Sequence, residues 1–269
     1  MRAALAEIDY YRRAVGATFR GQMQYRASFA LRVATDFAVI FADFVPVYVL
    51  LGRFGSLEGW SLAEVAVLFG MVQCAWGTVE LGARGFENFG RLLIRGELDR
   101  MLLRPRSLIA QIAAHDFDAR RLGKIAQGAV VLGVGGTLHG LEPGAWLWVV
   151  YGTAGGIAFF SGVVLLAAAS QFYTLGQTSE LQNMLTYGGT AALSYPVSVY
   201  ARWFRRAITY AIPLACVNYF PGLAALGRLE SAGVPGFVPW ISPVVCLGFM
   251  ALGHVAFRRA LGRYESTGS

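Results

Sequence analysis

AWLWVVYGTAGGIAFFSGVVLLAAAS, residues 145–170, holds no charged side chain. As an α-helix this stretch would rise about 39 Å, more than the ~30 Å hydrocarbon core of a bilayer. No face of it is polar, so it belongs inside lipid or inside a large core, and the rest of the chain decides between the two. Of its 269 residues, 56% are hydrophobic and 14% charged, against roughly 25% charged in soluble domains. The mean hydropathy is +0.50. No long stretch is polar enough to fold as a soluble lobe, so the reading is of one membrane domain over residues 1–269 with short loops.

Working outward from 145–170, apolar runs recur on both sides. Upstream lie spans at about Ser28–Leu51, at 61–83 and from near Arg121 to His139; downstream lie one of lower hydrophobicity at about Leu181–Leu193 and a last one at about Pro239–Phe257. The expected fold is therefore all-α, a polytopic membrane protein with six transmembrane helices. Before the first span, residues 4–24 carry Ile8, Tyr11, Val15, Phe19 and Met23 at helical spacing, with Arg12, Arg13 and Arg20 off that stripe. This is the pattern of an amphipathic helix lying in the membrane interface. The first apolar run is long enough to span and is read as a retained helix, not a cleaved leader. Between the last two spans, Pro196, Pro213, Pro221 and Pro235 interrupt an apolar, aromatic stretch from 195 to 237. No straight helix fits there, and short re-entrant helices at the outer surface are expected. Gly152 and Gly156 form a small-xxx-small pair, which permits close approach of a neighbouring helix.

The net charge of +7 comes from 23 Lys and Arg, 22 of them Arg, set in clusters between apolar segments. That distribution argues against nucleic-acid binding, which needs a continuous basic surface. It reports topology instead. Seventeen basic residues fall before the first span, between spans two and three, and after span six, whereas 5 fall on the other side. The positive-inside tendency then puts both termini in the cytoplasm. Charged residues lie within the first two spans: Arg32, Asp36 and Asp43 in the first, and Glu64 and, near its far end, Glu80 in the second. Arg32 and Asp36 are four apart and share a helix face with Asp43 nearly aligned, so pairing would lower the cost of burying them. They either line a substrate path or pack into the bundle interior.

Familiar catalytic patterns are missing. The single lysine, Lys124, is followed by Ile125, and Asp118 stands where the first glycine of a P-loop is required. His115, His139 and His254 are isolated, Ser161 sits in Phe-Ser-Gly and not in a G-x-S-x-G elbow, and Asp116 with Asp118 reads as a solvated pair. Cys74, Cys216 and Cys246 are far apart among apolar neighbours, as inert thiols are.

The segment 85–105 is amphipathic and bounded by Gly85, Gly96 and Pro105, with Phe86, Phe89 and Leu93 at helical spacing. Left exposed, that stripe would dock into a partner's groove; folded back, it would lie on the membrane surface. The run Arg95-Gly96-Glu97-Leu98-Asp99-Arg100-Met101-Leu102-Leu103-Arg104-Pro105, together with Tyr195-Pro196, Ile212-Pro213 and Tyr219-Phe220-Pro221, resembles the membrane subunits of type-2 ABC exporters, particularly a bacterial branch of permeases. The resemblance covers most of the chain. It implies six spans with both termini inside, an N-terminal interfacial helix, a coupling helix between spans two and three, and an outer gate over 195–237. On it, Phe86, Phe89, Leu93, Glu97, Asp99 and Arg104 would couple to an ATPase, and Tyr195, Pro196, Arg202, Arg205, Arg206, Pro213 and Pro221 would form the gate. The three gate arginines would meet lipid phosphates or an anionic substrate, or anchor the chain at the interface. The implied partners are two cytoplasmic ABC ATPase subunits, a second permease subunit, identical or homologous, and membrane lipids. ATP and magnesium would bind to the ATPase, with no cofactor in this chain, and the setting would be a bacterial inner membrane.

Two other functions need features that can be checked. An ion-driven secondary transporter working through Asp36, Asp43 and Glu80 would show a repeat between its halves, and none is visible. A lipid-acting enzyme would cluster carboxylates, histidines or a nucleophile at an interface.

Overall fold

The computed structural model describes residues 2–54, 56, 58–174 and 184–264. Every regular element among them is helical. An N-terminal helix α1 (Arg2–Gln22) leads into the long α2 (Arg26–Phe54), followed by α3 (Leu62–Gly82). Four short helices come next: α4 (Arg84–Glu87), α5 (Phe89–Ile94), α6 (Glu97–Leu102) and α7 (Leu108–Ala114). Then follow α8 (Leu122–His139), α9 (Ala145–Gln171), α10 (Gly189–Leu193), α11 (Arg202–Arg206), α12 (Tyr219–Ala225) and α13 (Val238–Leu261).

Local chemistry sets the ends of these helices. Ser61 caps α3 reciprocally: its Oγ accepts from the Glu64 N–H at 3.3 Å, and Glu64 Oε2 accepts from the Ser61 N–H at 2.8 Å. At the end of α8, Gly140 turns left-handed at φ 77, which a glycine adopts without steric cost.

The molecule is an all-α membrane protein. Among the described residues three helices, α3, α9 and α13, are long and apolar enough to cross a bilayer as they stand. A fourth crossing is made if two segments, Arg202–Ala211 and Leu214–Ala225, count as one, although they meet at 74°. That bend falls at Ile212–Pro213, where the prolines lead the sequence to expect a break. The six-span expectation thus meets a smaller set of uninterrupted apolar helices, and the reason is charge and length. The 29-residue α2 carries Arg32 and Asp36, and α8 has 18 residues and opens with Lys124 in its first turn. Both stand at expected span positions and pack beside α3. The expected fifth span begins outside the described residues, and its remainder is a π-helical turn, Met184–Gly188, running into the short α10.

α9 is the central post, packed along α13 and against α3, while α3 runs along α8. The paired glycines of α9 make this possible. A side chain on Gly152 would meet Pro221 Cβ at 2.6 Å, and one on Gly156 would meet Ala75 Cβ at 2.9 Å. The small-xxx-small face therefore seats both α3 and the proline-broken segment.

The two ends of the bundle differ. At one end α1 lies across the helix termini: Tyr11 Oη donates to the Gly82 carbonyl at 2.7 Å, and Gln22 Nε2 donates to the Phe117 carbonyl at 2.7 Å. Leu5 and Ile8 stay exposed beside these anchors, as suits a helix at an interface. The turn ending at Tyr264 is there too, with Tyr264 against Phe172 at 5.7 Å. We call this the basic end. At the far end Trp60 Nε1 donates to Ser198 Oγ at 2.9 Å.

Candidate functional site

Two residues before the end of α3, Glu80 is fully buried. Lys124 Nζ lies 2.7 Å from its Oε2, and Arg121 Nη1 lies 3.4 Å from its Oε1. Arg121 also approaches Asp36 Oδ2 at 3.7 Å, so the carboxylate of α2 is matched by the cation that precedes α8 and not by Arg32 on its own helix. The approach of α2 to α8 needs a residue without a side chain, and Gly123 supplies it: a Cβ there would collide with the Val33 carbonyl oxygen. Two cations and two carboxylates from α2, α3, α8 and the turn before α8 thus close an ionic knot around buried Glu80, where any member alone would be costly. Arg32 points elsewhere, into a pocket at the basic end shared with Arg84, Arg91 and Arg95. The side chain of Asp43 lies outside the described residues.

The knot forms the floor of a cavity of about 450 Å³ lined by Phe69, Gln73, Tyr187, Thr190, Ser194 and Tyr195 above it. From Phe69 to Glu80 the wall follows α3 for about 16 Å, half the thickness of a hydrocarbon core. Gln73 is buried, and its Oε1 has no hydrogen-bond partner among the described residues. A buried amide oxygen in that position is satisfied by water or by a polar ligand. A polar cleft therefore sits between α3, α8 and α10, with Tyr187 and Tyr195 in its lining.

The segment below it corrects one expectation. Phe86, Phe89 and Leu93 form no exposed stripe; all three are buried. Phe89 packs against Phe172 at 5.0 Å and Phe257 at 5.6 Å, and Phe86 packs against Phe257 at 5.6 Å. Helical periodicity records that a face is buried without recording what buries it, and here the cover is the chain's own α9 and α13. Gly85 allows the fold-back, since any side chain there would strike the Ile112 carbonyl oxygen of α7. What the segment exposes is its tip: Leu103 is 86% exposed and Ile94 65%, with Leu102 and Arg104 beside them. Glu97 is 3.4 Å from His115 Nε2 and 3.9 Å from Arg95, while Asp99 lies against Tyr264. Burial raises the Glu87 carboxyl to about 7, with Glu80 adding to the effect and Arg84, Arg121 and Lys124 opposing it.

The expected gate residues separate. Tyr195 joins the central cavity, Pro196 is buried ahead of a short turn, Pro213 stands at the 74° bend, and Pro221 fills the notch at Gly152. Arg202, Arg205 and Arg206 are exposed and line a different cavity at the far end. A clamp beside them escapes a reading of the sequence. Arg228 Nη1 donates to Glu64 Oε2 at 3.2 Å, its Nη2 donates to the Gly59 carbonyl at 2.9 Å, and its guanidinium sits 4.4 Å over Trp60. Nothing local in the sequence marks Arg228 as the partner of Glu64, 164 residues away. The counter-ions Arg121 and Lys124 were likewise hidden among loop charges.

The sequence matches the family described as ABC-2 family transporter protein over residues 37–268. None of the curated proteins and none of the solved structures matches it.

Proposed function

The chain belongs to the ABC-2 family of transporter proteins, and on that premise we propose that it is the permease subunit of an ATP-driven exporter, working with a second permease subunit and two cytoplasmic ATPase subunits. The observation that carries this reading is the cleft above Glu80, Arg121 and Lys124. Polar groups at membrane depth are costly against lipid, so such a cleft serves as one wall of a pathway whose other wall is a second subunit. The basic end faces the cytoplasm with both termini, by the positive-inside tendency, in a bacterial inner membrane.

The ATPase docks on the exposed tip formed by Ile94, Leu102, Leu103 and Arg104. Phe86, Phe89 and Leu93 act behind it, as the rigid joint through which a push on the tip moves α9 and α13. Glu97 and Asp99 tie the tip to His115 and to Tyr264. ATP and magnesium belong to the ATPase, so the work done here is mechanical.

The test is Leu103→Glu in the complex with the ATPase encoded for it. Loss of ATPase co-purification and of ATP-dependent transport, with unchanged amounts of folded permease in the membrane, is the expected result. Full capture and transport by the variant would sink the docking assignment. Transport driven by a proton gradient without ATP would replace the whole reading with that of a secondary transporter.

A further inference from the structure

At the far end, Arg202, Arg205 and Arg206 surround a cavity of about 420 Å³ whose wall also carries Thr209, Tyr210 and Tyr219. The three guanidinium groups have no carboxylate partner among the described residues. The neighbouring Arg228 makes the contrast, being held by Glu64, the Gly59 carbonyl and the Trp60 ring. Arg228 has a structural job, and the other three have no ion-pair partner among the described residues.

Their position makes this more pointed. Under the orientation proposed above they stand on the side where basic residues are sparse, 5 of 23 in the whole chain, and concentrating three within five residues there runs against the topological preference. They occupy the opening turns of the bent segment Arg202–Ala211, beside Trp203 and Tyr210, which are 73% and 83% exposed. Exposed aromatic rings flanking arginines mark the headgroup layer of a bilayer. Planar guanidinium groups converging on a cavity lined by hydroxyls suit a tetrahedral oxyanion, which they bind in bidentate fashion.

We propose that this pocket is a binding site for a phosphate-bearing headgroup, with Arg202, Arg205 and Arg206 as its charged ligands and the hydroxyls of Thr209 and Tyr219 completing it. The headgroup belongs to a lipid of that leaflet or to a phosphorylated cargo leaving the pathway; the chemistry of capture is common to both. Tyr219 also touches Trp60, at 6.1 Å between ring centroids, so an occupied pocket bears directly on the clamp by which Arg228, just after the bent segment, holds Glu64 of α3.

Binding is read on the full chain alone, purified in a neutral detergent, so it does not depend on any ATPase. The probes are dihexanoyl phosphatidic acid, dihexanoylglycerol and inorganic phosphate, and the readout is the shift of the thermal unfolding midpoint against probe concentration. Phosphatidic acid is expected to stabilise the protein in a saturable way. Arg205→Gln with Arg206→Gln weakens its apparent affinity by roughly tenfold or more, Arg205→Lys with Arg206→Lys retains part of it, and Arg202→Gln alone weakens it several-fold. Competition by inorganic phosphate assigns the site to the phosphate itself, whereas its failure to compete assigns it to a lipid; either outcome supports an anion site. Equal stabilisation by the uncharged dihexanoylglycerol, or unchanged phosphatidic acid affinity in the folded Gln variants, overturns it.

Discussion

Lys124 and Glu80 show how one residue's placement governs its neighbours. Their 2.7 Å contact lies where water is scarce, so neither charge can be removed without stranding the other. Glu80→Ala is expected to destabilise the protein by about 3–5 kcal/mol, measured by denaturant unfolding in micelles. The double variant Glu80→Gln with Lys124→Met should lose less than the sum of the two single changes, leaving a coupling of about 1 kcal/mol or more in a double-mutant cycle. Additive losses would mean that the pair is incidental. Glu87, just beyond the span, carries a pH dependence. Its carboxyl titrates at about 7 in the folded chain and at 4.5 without perturbation, so between those values the folded state holds a proton that the unfolded state has released. Stability therefore falls as pH rises through that window, and the loss is complete above pH 7. Glu87→Gln should flatten this slope in unfolding measurements from pH 5 to 8; an unchanged slope would assign it to another group.

Among the elements, the run α4–α7 departs most from its reading in the sequence. Its spacing of Phe86, Phe89 and Leu93 was legible as one apolar face, and so were its glycine and proline limits. The direction of that face was not, because an ATPase groove and the underside of α9 and α13 present the same apolar demand. The consequence is measurable. Phe89→Ala should cost about 3–5 kcal/mol of stability, as for a buried aromatic, whereas Leu103→Ala at the exposed tip should stay within about 0.5 kcal/mol. Denaturant midpoints of the two variants decide it, and the reverse order would return the apolar stripe to the surface. The proline-broken segment behaved differently. Its break at Ile212–Pro213 could be read directly, since proline lacks the N–H that a helix would need there.

For the whole molecule the orientation is the first thing to test. In a chain whose Cys74, Cys216 and Cys246 are replaced by Ser, a membrane-impermeant maleimide applied to intact cells should label Arg205→Cys and leave Leu103→Cys untouched until the membrane is opened. Labelling in the opposite pattern would invert the topology. The sequence alone determined that the chain lives in lipid, is helical, carries an amphipathic stripe over residues 4–24 and sets its basic residues in clusters between apolar runs, because hydropathy, helical period and charge clustering are properties of neighbouring residues. It also carried the run 95–105 and the proline motifs through which the family resemblance was read. The tertiary structure decided which buried charges meet, which way an amphipathic face turns, and that Arg228 serves Glu64 while Arg202, Arg205 and Arg206 have no carboxylate partner among the described residues. Those outcomes depend on helices brought together across as many as 164 residues. In a low-dielectric interior, a charge is stabilised by whichever partner packing brings within about 4 Å, not by the one nearest along the chain.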